Sequence, residues 1–159
     1  MRIGSSIDIH RLEKDLRLVI GGIEIPSEKG CVAHSDGDVL IHAIVDALLG
    51  AMSLGDIGEH FSDQDPKYKG IDSSYFLIEV KKLLKENHYK ISNIDSLVIL
   101  EKPKLKQYKK QMEEKIAQCL EIDVSKVNVK AGTNEGIGEI GKNEAIEAHA
   151  VVLLEEVYE

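Results

Sequence analysis

The sequence predicts an α+β fold with a layer of helices packed on one face of a sheet. Three observations carry this. Strand-like and helix-like segments alternate along the chain. One segment is apolar nearly all round, as a helix central to a core would be. The 159 residues are 43% hydrophobic and 30% charged, which suits a single domain over 1–159 with a sizeable core.

Residues 1–12 alternate loosely and read as a strand. Residues 16–25 read as strand material turning at Gly21-Gly22, with Pro26 ending it. Residues 36–52 form the predicted central helix, carrying Val39, Leu40, Ile41, Ile44, Val45, Leu48, Leu49 and Met52. Residues 55–70 read as a polar loop. Residues 72–87 predict an amphipathic helix with Phe76, Leu77, Val80, Leu83 and Leu84 on one face. A strand follows over 91–100. A second amphipathic helix over 105–120 is striped by Leu105, Tyr108, Met112, Ile116, Cys119 and Leu120. Residues 127–131 read as a strand. From Asn143 the pattern is open: its Glu/Ala richness reads as helix, while Val151-Val152-Leu153-Leu154 suits a buried strand.

Composition excludes several functions. Twenty basic residues against 28 acidic ones give a net charge of −8, which argues against nucleic acid as a main partner. With no Trp and two Phe, a base-stacking platform is also disfavoured. No apolar run reaches membrane-spanning length, so no membrane partner is expected. The start, Met1-Arg2-Ile3-Gly4, has no signal-peptide character. Cys31 and Cys119 form no CxxC, so no disulfide scaffold is expected. The expected location is the cytoplasm, or a plastid if a presequence has been removed.

Chemistry concentrates in three places. Asp8 and His10, two apart on a strand, point to the same face and present a carboxylate beside an imidazole. His34-Ser35-Asp36-Gly37-Asp38 runs into the central helix, where Ser35 with Asp38 has capping-box spacing. Asp38, His42 and Asp46, four apart, make one polar stripe on an apolar rod. Unpartnered burial would cost on the order of 1–3 kcal/mol each, so they either pair with each other or line a site. Asp8, His10 and His42 together make a two-histidine, one-carboxylate set that leaves a fourth zinc position open, and iron or manganese fit the same donors. The third place is the glycine-rich run 130–141, a strand leading into a loop able to cradle phosphate with backbone N–H groups. Its Gly136-Ile137-Gly138-Glu139-Ile140-Gly141 matches G-x-G-x-x-G only formally. Just 18 residues follow Gly141, too few for the helix and second strand that a dinucleotide fold needs.

Several strings resemble the 2-C-methyl-D-erythritol 2,4-cyclodiphosphate synthase family. They include Ile7-Asp8-Ile9-His10-Arg11-Leu12, Gly21-Gly22-Ile23-Glu24-Ile25-Pro26, Ala33-His34-Ser35-Asp36-Gly37-Asp38-Val39, and Leu54-Gly55-Asp56-Ile57-Gly58. Further along, Phe61-Ser62-Asp63-Gln64-Asp65-Pro66, Pro103-Lys104-Leu105 and Val127-Asn128-Val129-Lys130-Ala131 continue the resemblance. It implies a small mixed sheet with helices on one face, assembled as a homotrimer with active sites between subunits. The implied reaction is metal-dependent intramolecular phosphoryl transfer. It converts 4-diphosphocytidyl-2-C-methyl-D-erythritol 2-phosphate to the cyclic diphosphate and CMP, in the non-mevalonate isoprenoid route, as a phosphorus–oxygen lyase does.

The resemblance also implies residue roles. Asp8, His10 and His42 hold Zn2+, and Glu135 holds Mg2+ or Mn2+. His34 and Thr133 are catalytic. Asp8, Ile9, His10, His34 and Ser35 meet the phosphates, while Asp56, Ile57 and Gly58, with Phe61, Ser62, Asp63, Gln64 and Asp65, meet the erythritol part. Leu100, Glu101, Lys102, Pro103, Lys104, Leu105 and Lys106, with Gly132, Thr133, Asn134 and Glu135, form the nucleotide end. Glu139 and Lys142 stand where the family often has Phe and Arg around a cavity on the trimer axis. Gly132-Thr133-Asn134-Glu135 replaces the usual Thr-Thr-Thr-Glu, and Glu101 replaces a common Gln. Two rivals stay open from the residues: a zinc-dependent hydrolase with His34 or Asp38 as base, and a metal-binding structural protein without turnover.

Overall fold

A computed structural model describes residues 1–158. Its main sheet has five strands in the order β4-β1-β7-β5-β6, comprising β4 (Lys29–Cys31), β1 (Arg2–Lys14), β7 (Ala145–Glu156), β5 (Tyr89–Ile99) and β6 (Val127–Gly132). Only β5 and β6 run parallel, so the sheet is mixed. A separate hairpin of β2 (Leu18–Ile20) and β3 (Ile23–Ile25) turns at Gly21-Gly22, both at positive φ. The ambiguous tail is strand β7. Antiparallel ladders to β1 and β5 flank it on both sides, and Ala148, Ala150, Val152 and Leu154 are buried beneath the helices. Its pairing between two long strands decides against the helix that its Glu and Ala content favours.

The helices α1 (Val39–Ala51), α3 (Ser74–Glu86) and α4 (Lys109–Leu120) cover one face of the sheet. Helix α1 lies at the centre, with ten of its thirteen residues buried. It packs against β1 so closely that a Cβ at Gly4 would lie 2.0 Å from the Ala47 carbonyl oxygen. Only glycine permits that approach.

The opposite sheet face is open. Along β1, Ile3, Ile7 and Ile9 are 71%, 63% and 55% exposed, and Val151 of β7 is exposed beside them.

Several local expectations need correction. The central helix starts at Val39 rather than at 36, because Asp38 is its N-cap and accepts a bond from the Ile41 N–H at 3.0 Å. Ser35 therefore lies outside the helix and takes no part in a capping box. The 55–70 loop contains α2 (Ile57–His60), capped by Asp56, and a 3-10 turn Pro66–Tyr68, capped by Asp65. The 105–120 segment opens as a 3-10 turn, Lys106–Tyr108, before α4 begins. Strand β4 and the short α5 (Gly138–Gly141) have no periodicity long enough to announce them.

Candidate metal centre and substrate cavity

Strand β1 turns Gly4, Ser6, Asp8, His10 and Leu12 toward α1. Two residues of strand span about 6.6 Å and four residues of helix about 6 Å, so the stripes on the two elements stay in step. The match pairs Ser6 with Asp46, whose Oδ2 accepts from the serine hydroxyl at 2.7 Å. It also brings His42 over Asp8 and His10. His10 Nε2 and His42 Nδ1 lie 3.0 and 3.3 Å from Asp8 Oδ2, and 3.3 Å from each other.

These three donors form a cluster able to hold a metal ion. Asp8 Oδ2 is buried and has no hydrogen bond of acceptable geometry, although two ring nitrogens stand close to it. His10 Nε2 and His42 Nδ1 are also within hydrogen-bond distance of each other, so all three donor atoms face one point. Donors about 2.0–2.1 Å from a tetrahedral zinc would be about 3.3 Å apart, close to the separations found. Burial opposes the charge on Asp8, but the two imidazoles outweigh it and hold its pKa far below the usual carboxylate range. Burial likewise disfavours the His10 cation, yet Asp8 raises its pKa on balance.

The polar stripe of α1 does not pair with itself. Asp38 turns away from the metal donors, and its carboxylate accepts the N–H groups of Gly21 at 2.9 Å, Gly22 at 2.7 Å and Ile41. Full burial, with Asp36 nearby, pushes its pKa up to about 6 against those three donors. Asp46 also accepts from the Ile57 N–H at 2.8 Å. Of the three, only His42 faces the centre, so Asp38 is a structural brace and does not fit the general-base role open to it.

The two histidine donors sit in the wall of a cavity of about 390 Å³, with Asp8 behind them and outside its lining. His10, His34, Ser35, His42, Ile57, Gly58, Phe61, Ser62 and Asp63 line it, so the structure brings together most of the residues expected at the phosphate and erythritol end. His34 is positioned by its Nε2, 2.8 Å from the Asp65 carbonyl oxygen. Asp56, Gln64 and Asp65 do not line the cavity. The carboxylates of Asp56 and Asp65 accept from the N–H groups of Glu59 and Lys67 as caps. The Ile9 side chain lies on the open face of the sheet, away from the cavity. Tyr68 and Phe76, which the sequence offered only as a loop residue and a helix-stripe residue, complete an aromatic wall. Phe61 stacks 4.6 Å from Phe76, with Tyr68 edge-on to both.

A second cleft of about 200 Å³ gathers Leu100, Lys104, Leu105, Lys106, Gly132 and Thr133, with Lys109 added from α4. Glu101 is not in its lining. Its carboxylate accepts from the N–H groups of Asn134 at 3.0 Å and Gly136 at 2.9 Å. Two amides of the glycine-rich loop are thus already satisfied from within the chain, and the phosphate cradle expected there does not have them free. Thr133 and Glu135 are exposed, Glu135 with positive φ. Glu139 and Lys142, in and just beyond α5, line neither cavity.

The two cavities share no residue. Ile9, Glu147, Ile99 and Gly132 lie in one register row across β1, β7, β5 and β6. Three strand spacings put Gly132 about 14 Å from Ile9.

Residues 1–155 match the YgbB family. A protein named 2-C-methyl-D-erythritol 2,4-cyclodiphosphate synthase, from Chloroherpeton thalassium, is 57% identical over 157 residues, covering 99% of this chain and 100% of its own. Among solved structures, the bifunctional IspDF from Campylobacter jejuni superposes with a TM-score of 0.94 at 38% identity. The match covers 99% of this chain and 42% of that longer one. The CDP complex of IspF from Plasmodium falciparum gives a TM-score of 0.86 at 37% identity, covering 99% of this chain and 97% of the other.

Proposed function

The chain belongs to the YgbB family, and from that premise we propose that it makes 2-C-methyl-D-erythritol 2,4-cyclodiphosphate in isoprenoid biosynthesis. The 2-phosphate of 4-diphosphocytidyl-2-C-methyl-D-erythritol 2-phosphate attacks the β-phosphorus of its own diphosphate. The bond from that phosphorus to the bridging oxygen breaks, and CMP leaves with the α-phosphate. Phosphoryl transfer of this kind needs positioning and charge neutralisation more than covalent help. The observation that carries the reading is the convergence of Asp8, His10 and His42, with both histidines in the wall of a cavity sized for a small polar substrate.

In this reading Asp8, His10 and His42 hold Zn2+, which when bound supplies a Lewis acid for a phosphate oxygen. The residues around it do the rest. His34, braced on the Asp65 carbonyl, and the backbone at Ser35 meet the same phosphate. The aromatic wall of Phe61, Tyr68 and Phe76 excludes water behind the methylerythritol. The Lys104 cleft takes the cytosine, Thr133 steadies the diphosphate, and Glu135 holds Mg2+ or Mn2+.

The proposed assembly is a homotrimer with sites between adjacent subunits. Its support is twofold: Ile3, Ile7, Ile9 and Val151 stand exposed together on the open sheet face, as interface residues do, and the two half-sites lie about 14 Å apart in one chain. The proposed location is the cytoplasm, with neither nucleic acid nor membrane as a partner.

The test is CMP release from the cytidyl substrate by purified protein, coupled to elemental analysis. Stoichiometric zinc with CMP release is expected. Metal-loaded protein that hydrolyses the substrate without cyclisation would support the hydrolase, and bound zinc with no turnover would support the structural rival.

A further inference from the structure

The metal-side face of His42 is its Nδ1. What lies behind the ring decides whether that nitrogen carries a lone pair or a proton. His42 Nε2 is 2.9 Å from Ser73 Oγ and 3.1 Å from Ser35 Oγ. The two hydroxyls are not equivalent. Ser35 Oγ accepts from the Gly37 N–H at 3.3 Å, which leaves its own proton uncommitted, so it can serve either tautomer of the imidazole. The Ser73 hydroxyl donates to Asp36 Oδ1 at 2.5 Å. A carboxylate oxygen only accepts, so the Ser73 proton is spent there and only the lone pairs of its oxygen face His42.

Asp36 is itself fixed. Its carboxylate accepts the N–H groups of Ser73 at 2.9 Å and Asp38 at 3.0 Å, and its own N–H donates to the Ile71 carbonyl at 3.0 Å. Ser73 is fully buried and sits at the N-cap position of α3, yet its side chain makes no capping bond to that helix. A serine there usually caps. Here its hydroxyl is committed to Asp36 and His42 instead.

We propose that Asp36 and Ser73 form a positioning relay that holds His42 as the Nε2–H tautomer and so presents Nδ1, unprotonated and oriented, to the metal. The inference deepens the metal reading above and rests on it for its consequence, while the tautomer itself can be read without any metal. Neither residue touches substrate or metal; both act through His42. Partners of this kind typically alter metal affinity by about 10–100-fold.

Long-range 15N–1H NMR of the metal-free protein tests the relay, with the His42 signals identified by their loss in His42→Ala. The expected result is a single Nε2–H tautomer in the unaltered chain and a mixture in Ser73→Ala and Asp36→Asn. A His42 protonated on Nδ1 in the unaltered chain would overturn the relay, even if neither variant folds. Where the variants fold, chelator competition should show zinc bound about 10–100-fold more weakly, with an altered cobalt absorption spectrum. Unchanged affinity and spectrum in both variants would also overturn it. Zinc uptake by the unaltered chain is read separately: no uptake at all would sink the metal reading while leaving the tautomer result to decide the relay.

Discussion

The two halves of the proposed site are built in opposite ways. The metal half stands on a strand inside the main sheet and on the most buried helix. Asp8, His10 and His42 are all at least half-covered, and packing at Gly4 against Ala47 fixes the strand under the helix. The nucleotide half hangs beyond β6, the edge strand, with Thr133 and Glu135 exposed and the loop tied down by one carboxylate, Glu101. The first half is complete once the chain folds. The second is an open cleft of about 200 Å³ beside an exposed loop. Preorganisation is therefore concentrated where charge must be stabilised, and adaptability where a nucleotide must enter and leave.

The sharpest way to break this contrast is to empty the metal half. His42→Ala is expected to lose zinc beyond the 10–100-fold typical of outer-shell changes, and with it all CMP release, while the fold persists. Full zinc occupancy by elemental analysis in that variant would refute the ligand assignment. Next in size is complementation. His42→Ala and the double variant Thr133→Ala, Glu135→Ala are each expected to be inactive alone. Refolded together they should regain part of the CMP release, because some interfaces would join two intact halves. A mixture that stays inactive, or a monomer by light scattering, would place both halves within one chain.

The same contrast explains what could be read from the sequence. The donor triad was legible because periodicity alone puts Asp8 and His10 on one strand face and His42 on a helix that must be central. The role of Asp38 was not. Spacing placed it on the stripe with His42, but an N-cap residue turns off the helix axis, and here it turns toward Gly21 and Gly22, seventeen and sixteen positions away. No local pattern carries such a contact. Ser73, Tyr68 and Phe76 were missed for the same reason, since each joins the site only through tertiary packing. The strand identity of β7 was half legible: its apolar run suited a strand, and the ladders to β1 and β5 settled it.

The brace at Asp38 gives an effect of intermediate size. Asp38→Ala leaves three N–H groups without their acceptor, so a loss of about 3 kcal/mol or more is expected in denaturant unfolding. The pH dependence has a definite sign. With a folded pKa of about 6, above the usual carboxylate value of about 4, Asp38 contributes most below pH 4 and loses part of that contribution as pH rises through 6. The stability gap between the unaltered chain and Asp38→Ala should narrow from pH 4 to 6 and then stay level. A gap that widens over that range would show that the three amide donors outweigh burial.

The smallest expected effect lies in the nucleotide half, at Glu101. Its two oxygens take one amide each, Asn134 and Gly136, on either side of Glu135. Glu101→Gln keeps one acceptor and sets an NH2 group against the other N–H, so one of the two ties is lost. Glu135 sits at positive φ between those ties, a conformation that costs a non-glycine residue on the order of 1 kcal/mol and persists only when neighbours enforce it. Releasing one tie should let the loop spread over more conformers. A rise in KM of a few-fold is expected, with kcat nearly unchanged and zinc affinity untouched, because ordering a looser loop opposes binding by about 1 kcal/mol. Hydrogen exchange at Gly136 should accelerate in parallel. If zinc affinity fell as well, the two halves would be coupled within the chain, and the contrast between a preformed metal end and an adaptable nucleotide end would not hold.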